Sequence, residues 1–251
     1  MAVGLGLLIA LGVGLSGVGA GTLTAPLLIL ALGVPPAEAV GTALVYGALA
    51  KLLAGGVYLA RGQVDAGVLG RMLLGGVPGV VLGSLFLDRL KAQGGVVLAV
   101  LGGTVAFSAL WGLGRALSGR AVPKARPHLI PLGAFGIGLE MGFASAGAGA
   151  LGTLLLLGTT RLAPARVVGT DLAFGLVAAT VGGGLHLGMG NVNLPLLAEL
   201  ALGGSVGAVA GAFLAGRIPA RPLRLGLLAW LVLVGASLVY RGLALAKGGM
   251  G

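Results

Sequence analysis

Cysteine is missing altogether from this 251-residue chain, and histidine occurs only twice, at His128 and His186. The first absence excludes disulfides, thiolate catalysis and cysteine-based metal centres. The second leaves too few imidazoles for a histidine-built site, so no metal or other cofactor is expected. Charge is scarce too: charged residues make up 9% of the chain, against about a quarter in a soluble domain. No cluster of titratable groups at helical spacing is visible. That argues against an enzyme and makes a membrane-embedded enzyme the least favoured class. Aromatic residues are 4% of the chain, and none alternate with basic residues to form a stacking face. The net charge of +10 therefore implies no nucleic-acid partner.

What fills the chain is hydrocarbon and glycine. Hydrophobic residues reach 57%, and the 52 glycines follow no Gly-X-Y period. Runs of about 20 apolar residues recur from end to end, the mark of an all-α polytopic membrane protein. Its solvent is the lipid bilayer, and small residues let its helices approach closely. The apolar segments fall at 2–16, 22–33, 38–60, 64–87, 94–114, 130–145, 150–160, 165–188, 192–216 and 223–245. Basic residues sit in the short loops between them, where the positive-inside rule places them. The first run, Ala2 to Gly14, has no basic region before it and leads into further apolar segments. It reads as a helix of the bundle rather than a cleaved signal peptide.

The longest polar interruption is "GRALSGRAVPKARPH", Gly114 to His128. It predicts a first transmembrane repeat over 1–114, a basic cytoplasmic linker over 115–128 and a second repeat over 129–251. Shifting the sequence by 128 lays "VGTALVYGALAKLLAGGVYLARGQVD" on "VGTDLAFGLVAATVGGGLHLGMGNVN". From Gly17 to Phe86 no gap is needed, and about 26 of 70 positions are identical, an internal duplication. Both halves carry glycine at every fourth position: Gly75, Gly79, Gly83 and then Gly203, Gly207, Gly211. That spacing makes a helix face for close packing, with homodimerisation through it left open.

Each half opens with two short apolar segments around a Gly-rich break, "SGVGAGT" (Ser16 to Thr22) and "SAGAGA" (Ser145 to Ala150). Three longer segments follow. If each short pair spans the membrane, the repeats are parallel and basic residues divide about evenly between its two sides. If each pair enters and leaves on one side, the repeats are inverted and the basic residues divide roughly ten to four. The unequal split favours inversion under the positive-inside rule.

Short, Gly-interrupted segments at corresponding places in two halves point to a transporter's binding site. A break frees backbone N–H groups and turns the positive end of the next helix toward it, so an anion is the expected guest. The candidate ligand groups are Gly19, Gly21 and Thr22 in the first break and Gly147 and Gly149 in the second. Thr42 and Thr170, in the recurring "VGT", are either ligand contacts or bonds to their own helix. Lys51 stands about halfway along 38–60. A lysine at mid-depth costs about 3 kcal/mol on insertion scales and has no helix end to snorkel to. It must face a wet cavity, where an anion would offset its charge, or pair with Asp171, Glu140 or Glu199. Glu140, Asp171 and His186 are the candidates for coupling or ion pairing, since a carboxylate in an apolar site is a potential proton carrier. The halves share a scaffold but not these charges: Ala179 matches Lys51, Ala43 matches Asp171 and Gly12 matches Glu140.

Along nearly its whole length the chain resembles the sulfite exporter TauE/SafE family of membrane proteins. The resemblance is carried by "GVGLSGVGAGTLTAPLLIL", by "PPAEAVGTAL" with its echo "ARVVGTDL", and by "GGVPGVVLGSLF" with "GGSVGAVAGAFL". It implies a secondary transporter of small sulfur-containing anions, such as sulfite, thiosulfate or an organosulfonate, in the bacterial cytoplasmic membrane. The chain departs from the pattern after the second break, where Leu154 matches Pro26. An anion channel or a structural membrane subunit is the alternative class.

Overall fold

A computed structural model describes residues 2–16, 20–118, 126–146, 149–214 and 220–248. Among them are ten α-helices and no strand. The first half comprises α1 (Ala2–Ser16), α2 (Ala20–Leu32), α3 (Pro36–Ala60), α4 (Ala66–Leu90) and α5 (Gly94–Ser118). A 3-10 turn, Pro127–Leu129, leads into α6 (Ile130–Ala144), α7 (Ala150–Thr159), α8 (Pro164–Gly188), α9 (Leu194–Leu214) and α10 (Ala220–Gly248). Four are long and apolar enough to cross a membrane, over Ala66–Leu90, Gly94–Leu117, Pro164–Gly188 and Leu225–Ala246. At 1.5 Å per residue, α1, α2, α6 and α7 each fall short of a hydrocarbon core of about 30 Å. The helix α5 runs on to Ser118, so Arg115, expected in the linker, stands on a helix. Residues 119–125 of the linker lie outside the described residues.

Local chemistry sets the helix ends. Asp65 caps α4, its Oδ1 accepting from the Val68 N–H at 2.9 Å. Asn193 caps α9 in the same way, accepting from the Leu196 N–H at 2.9 Å. Pro164 opens α8, where a missing N–H costs nothing. The turns after α3 and α8 use Gly62 (φ 64°) and Gly190 (φ 73°), a left-handed conformation that glycine adopts without strain.

The two halves interlock helix by helix. Helix α3 packs on α8 and α5 on α10. Both pairs run antiparallel: Gly41 meets Asn191 while Gly169 meets Gln63, and Gly95 meets Gly242 while Gly102 meets Gly235. Helix α4 packs on α6, and α9 on α1, each pair parallel. The four-spaced glycines lie in these last two seams. A Cβ on Gly75, Gly79 or Gly83 would overlap the backbone oxygens of Pro131, Phe135 and Leu139, and one on Gly203 or Gly207 those of Val3 and Leu7. The packing of Gly211 lies outside what is described. These seams are filled from within the chain, so the stripes are not free for a second copy. Contacts recur at the 128-residue offset. A Cβ on Gly76 would strike the Phe174 ring, and one on Gly204 the ring of Tyr46.

Candidate functional site

The start of α2 touches the end of α6. Helix α6 ends at Ser145, which takes the left-handed conformation (φ 56°) and is 5% exposed. Gly21, in the first turn of α2, lies directly against the Ser145 carbonyl and hydroxyl oxygens. Only glycine permits this approach. Thr22 is buried beside it. Gly149 adopts φ 102° just before α7, again a glycine conformation. Gly19 and Gly147 lie outside the described residues.

Helices α3 and α8 carry the two charges toward this junction. Lys51 is 8% exposed and Asp171 4%. The Lys51 stem lies across Gly175, one turn beyond Asp171, with Cε 2.8 Å from the point a Cβ there would occupy. Its ammonium lies near the start of α2: a Cβ on Gly47 would stand 4.0 Å from Lys51 Nζ and 3.7 Å from Gly21 N. The ammonium has no ion pair. Among the described residues the one ion pair within 4.0 Å is Lys91–Asp88, at 2.7 Å. Asp171, Glu140 and Glu199 are all described, so none of the three carboxylates offered by the sequence pairs with Lys51.

Asp171 is engaged elsewhere. Its Oδ2 accepts from the Thr153 hydroxyl at 2.8 Å. The carboxylate lies against Gly152 in the first turn of α7, and the Gly149 and Thr153 amides approach it. Oδ1, which faces Gly152, has no hydrogen bond of good geometry. The amino-terminal end of α7 is thus already occupied by a carboxyl group of the protein itself. In the first half Ala43 stands where Asp171 would be.

Thr42 and Thr170 sit elsewhere. Both are fully buried. Thr42 Oγ1 accepts from the Asn193 N–H at 3.0 Å, and Thr170 Oγ1 from the Asp65 N–H at 3.0 Å. Sequence weighed a ligand against the residue's own helix, and the structure supplies a third partner, the loop of the other half. The glycine before each threonine lets that loop in. Thr42→Val and Thr170→Val should each strand a part-buried N–H, costing about 1–3 kcal/mol. The expected result is a lower Tm with anion affinity unchanged within about twofold. A large affinity loss at unchanged Tm would instead place the hydroxyl on the ligand.

His186 is fully buried, and its Nε2 lies 3.1 Å from the Gly142 carbonyl, while Nδ1 has no partner. Glu140, 9% exposed, lines a cleft whose walls include neither Lys51 nor Asp171. No group of three metal-ligating residues occurs among the described residues. Sequence reasoning missed Ser145 and Thr153, because nothing about a serine or a threonine 18 residues before Asp171 announces a contact that folding creates.

An all-helical bundle with helices long and apolar enough to cross a membrane is an integral membrane protein. The chain matches the family model "Sulfite exporter TauE/SafE" over residues 2–238. It belongs to that family of membrane transporters. "Probable membrane transporter protein YjnA" of Bacillus subtilis (strain 168) is 29% identical over 248 residues, covering 94% of this chain and 97% of that protein. "Probable membrane transporter protein YtnM" of the same organism is 32% identical over 204 residues, covering 76% and 66%. No solved structure matches the chain.

Proposed function

We propose that the chain is a secondary transporter of a small sulfur-containing anion, sulfite, thiosulfate or an organosulfonate, bound where its two Gly-rich breaks meet. The observation that carries the reading is Lys51: a buried ammonium with no carboxylate within 4.0 Å, beside the N-terminal end of α2. A buried ammonium without a direct ion pair is costly even with Asp171 in electrostatic range, and an anion arriving there would lower the cost. The family name supplies the sulfur chemistry. The scaffold is two inverted repeats. Support comes from the antiparallel α3–α8 and α5–α10 pairs, since equivalent helices running oppositely imply an axis in the membrane plane.

Of the two breaks, the first is the better anion site. Asp171 fills the end of α7, whereas α2 offers its Gly21 N–H beside Lys51. Gly149 then shapes the site, and Gly21 forms it. Asp171→Asn removes a negative charge near the ammonium while keeping an acceptor for Thr153. Its expected effect is about three- to tenfold tighter anion binding, from the lost repulsion. The test is calorimetric titration of the purified chain with sulfite, sulfate, thiosulfate, taurine and sulfoacetate. One of the sulfur anions should bind competitively with the others. Binding of none of them would overturn the reading, and voltage-following flux without saturation would favour the channel alternative.

A further inference from the structure

A cleft of about 800 Å³ opens between α4, α5, α6 and α7, away from Lys51 and Gly21, neither of which lines it. Gly133 and Phe143 are its outermost lining residues on α6, and Arg115 and Val100 those on α5. At 1.5 Å per residue these stretches are about 15 and 22 Å long. That is one leaflet of a hydrocarbon core of about 30 Å, with a headgroup layer added on the α5 side. The walls are aliphatic and aromatic, and glycine keeps them apart: nothing lies within 4 Å of the Cβ positions of Gly103 and Gly136. Phe107 and Trp111, 63% and 56% exposed, form the rim, and an exposed apolar face of a membrane helix meets lipid.

Basic groups gather at one end. Arg115 lies near the end of α5, its Nη2 3.5 Å from where a Cβ on Gly158 would stand in the last turn of α7. Thr159 ends α7 there, and its carbonyl accepts from the Arg126 N–H at 3.0 Å. Arg161 follows two residues on. All three arginines are exposed, and among the described residues no carboxylate lies within 4.0 Å of any of them. Glu140 also lines the cleft, but its carboxyl is turned into the protein: Oε1 is buried, and Ser108 of α5 bonds the group.

We propose that the cleft holds one acyl chain of an anionic phospholipid, its phosphate on Arg115 and the Trp111 indole at headgroup level. An apolar groove with arginines at its mouth, between membrane helices, is the arrangement that recognises such a lipid. The other occupants each fail on one part of it. A free hydrophilic anion gains Arg115 but nothing from the walls. A zwitterionic lipid fills the walls, but its own ammonium is repelled by the arginines. A second copy of the chain would bring the same arginines against these. A lipid enters from the side, past Phe107 and Trp111.

The test is native mass spectrometry of the purified full-length chain, released from detergent micelles containing equal amounts of dioleoyl phosphatidylglycerol and dioleoyl phosphatidylcholine. One phosphatidylglycerol should stay bound, preferred about tenfold over phosphatidylcholine. Arg115→Gln should weaken phosphatidylglycerol about fivefold and leave phosphatidylcholine within about twofold, with Tm unchanged because the side chain is exposed. Gly136→Leu fills the cleft without a clash and should weaken both lipids at least about tenfold. Equal retention of the two lipids, or unchanged phosphatidylglycerol binding in either variant, overturns the proposal. Displacement of the lipid by sulfite or inorganic phosphate overturns it as well and makes the cleft a site for free anions. So does a lipid-free dimer that Gly136→Leu breaks, which would give the cleft to a second copy.

Discussion

Lys51→Met is expected to lower anion affinity at least about 30-fold, roughly 2 kcal/mol, while the protein keeps or gains stability. The two halves of this expectation have separate causes. The affinity loss follows from the proposed role of Lys51, whose charge would meet the anion in a low-dielectric site. The stability gain follows from the empty state. There the ammonium is buried with no carboxylate within ion-pair distance, and methionine replaces its stem on Gly175 at similar volume. Each kcal/mol gained raises Tm by about 2–4 °C in a chain of this size. Retained affinity with a large fall in Tm, rescued by Asp171→Asn, would show a structural role instead. This substitution is a cleaner probe than Gly21→Val. A Cβ at Gly21 runs into the Ser145 backbone, so valine would force α2 away from the end of α6 whatever its effect on the proposed site.

The second large effect is structural. Gly79→Val and Gly207→Val should each cost at least about 3 kcal/mol, seen as a Tm drop of about 6–12 °C or as loss of monodisperse protein in detergent. A Cβ at Gly79 overlaps the Phe135 oxygen and comes within 2.9 Å of the Leu139 nitrogen. At Gly207 it overlaps the Leu7 oxygen. These neighbours are helix backbone, which cannot turn aside as a side chain can. Inside a bilayer, close van der Waals packing is a main force holding helices together, so separating the seam removes what made it. Gly184→Val is the control: it is exposed, nothing lies within 4 Å of its Cβ position, and its effect should stay within about 0.5 kcal/mol. Equal loss in the control would mean that β-branching in a helix, and not the seam, causes the damage.

Much of the bundle was readable before any coordinates. The ten apolar segments match the ten helices to within about four residues, since helix ends follow local signals such as Asp65, Pro164 and Gly190. The largest difference is at α5, which runs on into the stretch taken for the linker. The four-spaced glycines foretold close seams. They did not say that α4 would take α6 as its partner, with residues 91–129 between them. Membership of the TauE/SafE family was legible for the same reason: motif order is a property of the linear chain.

The candidate site divides along the same line. That Lys51 and Asp171 are unusual followed from sequence, because a charge amid hydrocarbon is costly wherever the chain folds. Their separation did not. It depends on Thr153 and the α7 amides reaching Asp171 first, on Gly175 letting the lysine stem lie flat, and on Gly21 meeting Ser145. The threonines of "VGT" show it most plainly. The motif marks a buried hydroxyl beside a glycine, but its partner is a backbone N–H more than 100 residues away. Residue type, spacing and duplication are fixed along the chain. Which polar groups are satisfied by one another, and which are left for a ligand, is decided only when distant helices share one low-dielectric interior.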